Sequence, residues 1–168
     1  MLPIVLKNHI MRRICEFEAT RIKSSNMGRK RIFSVAQVID RIFFMCRTGC
    51  QWSSLPVEHG SYKTIYHYFA LWSKARLFED VFYRCVLETP ARGGSLIVDT
   101  SFVKNVHGVD IIGRNPTDRG RKATKVSLLC DERGTPLCTV FHKANRNDSL
   151  TLKHTLDTYE RKVGHLSS

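Results

Sequence analysis

The chain reads as an α+β protein, a helical N-terminal portion followed by a strand-rich one. Three observations predict this. From residue 34 to residue 87, apolar side chains recur at helical spacing. The stretch Glu88-Thr89-Pro90-Ala91-Arg92-Gly93-Gly94 then breaks that pattern. Beyond it, short apolar and β-branched runs alternate with polar turns, ahead of one last helical segment. A chain of 168 residues holds one domain or two small ones and can bury a modest core. The expected divisions are a variable basic segment over 1–27, a helical domain over 28–88 and a strand-containing domain over 89–168.

The elements follow in order. Ile4 to Ile22 can form a basic helix, with Ile10, Ile14 and Phe17 at helical spacing. Ser24-Ser25-Asn26-Met27-Gly28 reads as a linker, and Gly28-Arg29-Lys30-Arg31 as a basic arm of the kind that tracks phosphates. Ser34 to Arg47 is a helix. Ser34 caps it, Gln37 completes a capping box, and Val35, Val38, Ile39, Ile42, Phe43 and Cys46 form its apolar stripe. Thr48-Gly49 ends it. After the tight connection Gln51–Pro56, a second helix runs from Ser61 to about Ala75. Ile65, Tyr68, Phe69 and Trp72 face its core, and Lys63, Tyr66, His67 and Lys74 lie elsewhere. A third helix spans Leu77 to Leu87. Three short helices with a basic, aromatic second member suit a helix-turn-helix unit, and equally a plain helical bundle.

In the C-terminal portion the pattern predicts three strands, Ser95–Ser101, Val126–Cys130 and Leu137–His142. Asp131-Glu132-Arg133-Gly134 forms a hairpin turn between the last two. Residues 104–123 read as a polar, basic loop. Asp148-Ser149 then caps a helix to about Arg161, with Leu150, Leu152 and Leu156 as its apolar positions, and Gly164–Ser168 is a loose tail.

Charge is the clearest global signal. Lys and Arg number 27 against 15 Asp and Glu, a net charge of +12. Such a chain seeks nucleic acid or an anionic membrane. No segment is long and apolar enough to span a bilayer, and Leu2–Leu6 is too short for a signal-peptide core. Nucleic acid is therefore the expected partner rather than a membrane, and an intracellular location is the default. The six cysteines form no dense framework and are expected as packed, reduced thiols. Cys46 and Cys50, with His59 and His67 downstream, lack the second pair that a zinc finger needs.

One carboxylate stands out. Leu96-Ile97-Val98-Asp99-Thr100-Ser101 delivers Asp99 at the end of a buried-type strand. A carboxylate so placed can hold Mg²⁺, which takes one or two carboxylates plus phosphate oxygens. Asp is also common where a strand simply turns.

The motifs together resemble insertion-sequence transposases of the IS-five group in the IS-four superfamily. Arg47-Thr48-Gly49-Cys50-Gln51-Trp52, Leu55-Pro56, Lys63-Thr64-Ile65-Tyr66 and Trp72 are similar to the N-terminal region of that family. Val98-Asp99-Thr100-Ser101 resembles its first catalytic strand, and Asn115–Arg121 with Thr124-Lys125 its basic loop. Leu129–Leu137 resembles its hairpin, and Ala144–Ser149 its next helix start. The resemblance covers roughly residues 28–157 in the family's order.

The resemblance implies an RNase H-like core, incomplete in this chain, with three antiparallel strands and then a helix. It implies an Asp-Asp-Glu set binding two Mg²⁺ for cleavage and strand transfer of transposon ends. The first acid maps onto Asp99, as catalytic residue and metal ligand. The second Asp and the Glu have no counterparts, and Asp110, Asp118, Asp131, Asp148 and Asp157 are not promoted in their place. Lys30, Arg31, Lys63, Arg119, Arg121, Lys122 and Lys125 are the candidate phosphate contacts at the terminal inverted repeats. The resemblance implies double-stranded DNA as partner, the nucleoid as location in a bacterium, and a second copy or a C-terminal transposase fragment as further partners. The other reading of the same residues is a non-catalytic DNA-binding protein derived from a transposase.

Overall fold

The computed structural model describes residues 4–22, 31–88, 94–105 and 110–164. The expected linker over 24–28, most of the basic arm including Lys30, and residues 165–168 of the tail lie outside them. The chain divides into two compact units, Met1–Phe82 and Tyr83–Ser168. The division falls inside a helix, a few residues before the break that the sequence pattern suggests.

The first unit is helical. It contains α1 (Ile4–Ile22), α2 (Val35–Thr48), a single 3₁₀ turn at Trp52–Ser54, α3 (Tyr62–Lys74) and the start of α4 (Leu77–Glu88). The cap of α2 forms as the sequence predicts. Gln37 N–H donates to Ser34 Oγ at 3.2 Å, and Ser34 N–H donates to Gln37 Oε1 at 2.8 Å. These bonds satisfy donors that a helix start otherwise leaves to water. Gly49 ends α2 at φ 67°, a conformation that costs glycine nothing. Ile10, Ile14, Val38, Ile39, Ile42, Leu55, Ile65 and Trp72 are buried between these elements. Glu18 is buried with them and accepts from Trp72 Nε1 at 2.8 Å and from Arg31 at 3.1 Å. Arg13 bonds both Glu16 and Asp80, which hold its guanidinium above the usual arginine range, while Arg13 and then Arg12 hold the Glu16 carboxyl below its own.

The second unit is an antiparallel sheet backed by one helix. Its strands are β1 (Ile97–Lys104), β2 (Gly113–Arg114), β3 (Lys122–Cys130) and β4 (Pro136–Lys143), followed by α5 (Asp148–Val163). The order of strand, hairpin and helix is the expected α+β arrangement. β3 is central, with β1 on one edge and β4 on the other. β2 extends the β4 side, pairing Gly113 with Ala123 and Arg114 with Lys122. The expected loop over 104–123 therefore contains the end of β1, a strand of its own and the start of β3. Two residues cannot carry a period, so sequence pattern could not find β2.

The helix α5 departs from its sequence pattern in one respect. Leu150 and Leu152 are exposed, and Thr151, Thr155 and Thr158 form the buried face. Thr155 Oγ1 donates to the main-chain carbonyl of Thr151 and lies 2.8 Å from Ser127 Oγ. Small hydroxyl side chains let α5 sit close to β3, with Leu129, Cys138, Val140 and His142 on the same sheet face. The cap is Asn147, one residue before the expected one, and its side chain accepts from Ser149 N–H. The thiols also differ from expectation: Cys138 is buried, but Cys15 and Cys46 are exposed.

Candidate nucleic-acid interface

The sharpest local structure in the second unit is the turn Asn115–Arg121. Asn115 is buried, and its side-chain oxygen accepts from Thr117 N–H at 3.0 Å and Thr117 Oγ1 at 2.8 Å. Its carbonyl accepts from Gly120 N–H at 2.9 Å, and its own N–H donates to the Arg121 carbonyl at 2.9 Å. Arg119 and Gly120 take positive φ to close the turn. An asparagine that bonds its own following backbone makes such a turn stiff.

That stiffness fixes a set of cations. Arg114, Arg121 and Lys122, with Ile112, Gly113 and Gly120, line a groove of about 440 Å³. Arg114 leans over Gly120, its Nη1 3.9 Å from where a side chain there would begin. Arg119, Arg121 and Lys122 are exposed as expected, and Asp118 stands 3.6 Å from Arg121. Arg114 joins these cations although the sequence pattern does not point to it. Its pairing with Lys122 across the β2–β3 ladder brings it into the groove, and no spacing rule in the sequence reveals that pairing.

Two other candidates are engaged elsewhere. Lys125 is 4% exposed, and its ammonium donates to Asp148 at 2.8 Å and to the Arg146 carbonyl at 2.6 Å. It faces α5, opposite Phe102 and His142 in the ladders, so it has no surface for a phosphate. Arg31 is committed to Glu18 and stacks on the Tyr68 ring at 4.4 Å. Lys63 is free of such ties and lies on α3 beside Tyr66, His67, Ala70, Ser73 and Lys74, all exposed. The i, i+3, i+4 and i+7 spacing puts these on one face, and α3 contains no acidic residue. Tyr66 rests edge-on against Trp52, with ring centroids 5.3 Å apart.

Asp99 lies on β1, paired with Leu128, and accepts from Thr100 N–H at 2.7 Å. Asp99 and Asp148 line one groove of about 310 Å³ with Val98, Thr100, Ser149 and Leu152. Among the described residues no three His, Cys, Asp or Glu side chains gather to hold a metal, and Lys125 already neutralises Asp148. The described residues therefore do not fit a pair of Mg²⁺ ions.

Beneath α5, His142 is buried, and its Nε2 has no hydrogen-bond partner among the described residues. Burial, then Arg146, His154 and Lys125, hold its pKa below the ordinary histidine value.

Residues 11–82 match the family model described as "Putative transposase of IS4/5 family (DUF4096)". Residues 11–82 are thus similar to the N-terminal portion of an IS4/5-family transposase. The transposase match ends at residue 82, where the first compact unit also ends. It spans the Arg47–Trp52, Leu55-Pro56, Lys63–Tyr66 and Trp72 motifs, and does not reach Asp99 or the basic groove. No curated protein and no solved structure matches the chain. No described helix is long and apolar enough to cross a membrane.

Proposed function

We propose that this chain binds the terminal inverted repeats of an insertion sequence, as the DNA-grasping portion of its transposase. The observation that carries this reading is the groove bounded by Arg114, Arg121 and Lys122, on a chain whose helical unit is similar to a transposase family. The turn beneath those cations is closed by its own hydrogen bonds, so little ordering remains to be done on binding. Each cation would neutralise a phosphate and release counterions. On the helical unit, α3 is assigned to the major groove in the manner of a helix-turn-helix. Lys63 and Lys74 would meet phosphates, while Tyr66 and His67 between them face base edges. α4 is the poorer choice, because its first turn carries Glu79 and Asp80, which already occupy Arg76 and Arg13, and offers no free cation there.

The sheet-and-helix unit is read as the first part of an RNase H-like core, with Asp99 as its first acid. In a complete core of that kind Asp99 would help to hold Mg²⁺, whose chemistry would be the activation of an attacking oxygen and the stabilisation of a leaving one. The described residues supply Asp99 without the rest of such a set, so this chain's own contribution is to bind and orient DNA. The second reading, a non-catalytic DNA-binding regulator, is favoured by the Lys125 tie on Asp148, the other carboxylate in the Asp99 groove.

Fluorescence anisotropy with a terminal-repeat duplex and a scrambled duplex, over a series of salt concentrations, tests the proposal. Affinity should fall steeply with salt for both duplexes, and the terminal repeat should be held more tightly. Salt-independent binding would reject the phosphate contacts, and equal affinity for the two duplexes would reject end recognition.

A further inference from the structure

The basic face of α3 carries an apolar strip. Tyr66 is 49% exposed, and Ala70, one helical turn on, is exposed beside it. At about 3.6 residues per turn, Ala70 falls between Tyr66 on one side and Lys63, Lys74 and His67 on the other. Tyr62, Tyr68 and Phe69 of the same helix are half-buried and Trp72 is buried. Of the tyrosine, phenylalanine and tryptophan rings of α3, Tyr66 alone stands out in solvent.

That ring is braced from behind. It meets Trp52 edge-on, with centroids 5.3 Å apart and planes at 74°. Trp52 leans in turn on Phe69 at 5.0 Å, and Phe69 on Phe78 of α4 at 5.8 Å. The turn that carries Trp52 is closed by Ser54 N–H on the Gln51 carbonyl at 2.9 Å and Leu55 N–H on the Trp52 carbonyl at 3.2 Å. Buried Leu55 pins it to the helices. A row of rings therefore runs from α4 out to Tyr66. Edge-to-face contacts favour one ring orientation, and a tyrosine has few torsions left to freeze on binding.

In the major groove, base edges present hydrogen-bond donors and acceptors, and their one apolar group is the thymine 5-methyl. A braced ring with a small alanine beside it has no other apolar partner there. We propose that Tyr66, with Ala70, reads thymine by its methyl group in the terminal repeats, and that Trp52 is the residue that positions the ring. This rests on the assignment of α3 to the major groove. It gives that helix its sequence preference, whereas phosphate contacts from Lys63 and Lys74 serve any sequence. The competing use of the same side chain is a hydroxyl contact to phosphate, which carries no base information.

Uracil in place of thymine removes the methyl group and keeps the hydrogen-bonding edge. Fluorescence anisotropy with the terminal-repeat duplex, and with duplexes in which each thymine in turn is replaced by deoxyuridine, tests the inference. The natural chain should lose about fourfold in affinity at one or more thymines, the worth of one buried methyl group. It should lose nothing from the same replacements in a scrambled duplex. Tyr66→Phe keeps the ring and should keep the loss. Tyr66→Ala should bind the thymine and uracil duplexes equally, with an unchanged salt dependence because no cation has gone. Trp52→Leu, checked by circular dichroism to be folded, should show a smaller loss than the natural chain, and an undiminished loss would remove Trp52 from its positioning role. Methyl reading is overturned if no uracil replacement weakens the natural chain, if Tyr66→Ala stays as sensitive as the natural chain, or if Tyr66→Phe behaves like Tyr66→Ala. The DNA reading is judged separately, by whether the natural chain prefers the terminal repeat to the scrambled duplex at all.

Discussion

The Trp72 indole N–H donates to the Glu18 carboxylate at 2.8 Å, inside the helical unit and 54 residues apart in sequence. Arg31 holds the same carboxylate from the other side at 3.1 Å. A buried charge is tolerated only when it is paired and hydrogen-bonded, and this one joins α1, α3 and the segment entering α2. Arg31, which the charge pattern suggests as a DNA contact, is thereby tied to a buried carboxylate. Trp72 matters here as a donor as well as an apolar mass.

Replacing the donor while keeping the ring should therefore be costly. Trp72→Phe removes the indole N–H and leaves the Glu18 carboxylate with Arg31 alone. The expected loss is about 1–3 kcal/mol, the range for leaving a buried polar group short of a partner, with some packing loss added. Urea unfolding followed by circular dichroism measures it. Trp72→Phe with Glu18→Gln should cost less than the sum of the two single changes, because the residues share one bond. Strict additivity would show that the contact is not energetically coupled.

The candidate cations should separate into two groups. Arg114, Arg121 and Lys122 line the open groove, so alanine at any one should lower the salt dependence of DNA affinity by about one unit of log–log slope. Lys125→Met should leave that slope unchanged and lower the stability of the sheet unit instead. Its ammonium is buried and spoken for by Asp148 and the Arg146 carbonyl. Paired anisotropy and unfolding measurements on the four variants distinguish these roles, and a lowered slope for Lys125→Met would return it to the interface.

Much of the fold was legible because local chemistry decided it. Ser34 and Gln37 specify a capping box wherever they start an apolar stripe, and Asp131–Gly134 specifies a turn. What was not legible depended on neighbours distant in sequence. Leu150 and Leu152 look like a core stripe, yet α5 turns Thr151, Thr155 and Thr158 inward because β3 offers it Ser127 rather than a wide apolar surface. Lys125 reads as one more cation in a basic loop, and only the alternation of a longer β3 turns it under α5. Arg114 joins the groove through a two-residue strand with no pattern of its own.

Gly113 links that short strand to the groove. A β-carbon there would come within 2.7 Å of the Ala144 main-chain nitrogen and against Asn145 as well. Backbone cannot yield as a flexible side chain can, so Gly113→Ala should push β2 away from Ala144. Overpacking of this kind costs about 1–3 kcal/mol. Displacing β2 also displaces Arg114, and DNA affinity should fall with stability. Gly134→Ala is the comparison: its site is open space, and its φ of 79° penalises alanine through backbone strain alone. It should lower stability without changing DNA affinity. Equal affinities for the two variants would disconnect β2 from binding.

The buried histidine makes stability depend on pH with a definite sign. Burial, then Arg146, His154 and Lys125, lower the His142 pKa in the folded chain below about 6.5, its value when unfolded. As pH falls through that unfolded value, the unfolded chain takes up a proton that the folded chain refuses, and stability drops. Above it the contribution is fully present. His142→Gln cannot titrate, so the stability of the natural chain relative to this variant should decline as pH is lowered from 8 toward 5. Urea midpoints across that range measure the difference. A constant gap would mean that His142 keeps an ordinary pKa despite its burial.

The last expectation concerns Asp99. It shares its groove with Asp148, but Lys125 holds that carboxylate, and no third ligand gathers among the described residues. A two-metal reaction needs both ions held together across the attacking and leaving oxygens. With Asp99 as its only unneutralised carboxylate in that groove, this chain on its own should not nick terminal-repeat DNA in the presence of Mg²⁺. Asp99→Ala should bind that DNA as well as the natural chain does, because the cations of the groove around Arg114 and Arg121 are untouched. A supercoiled plasmid carrying the repeats, incubated with Mg²⁺ and either protein, reads out the chemistry directly. Nicking by the natural chain that disappears in Asp99→Ala would mean that the remaining ligands come from somewhere other than these described residues, and that the chain is a nuclease as it stands.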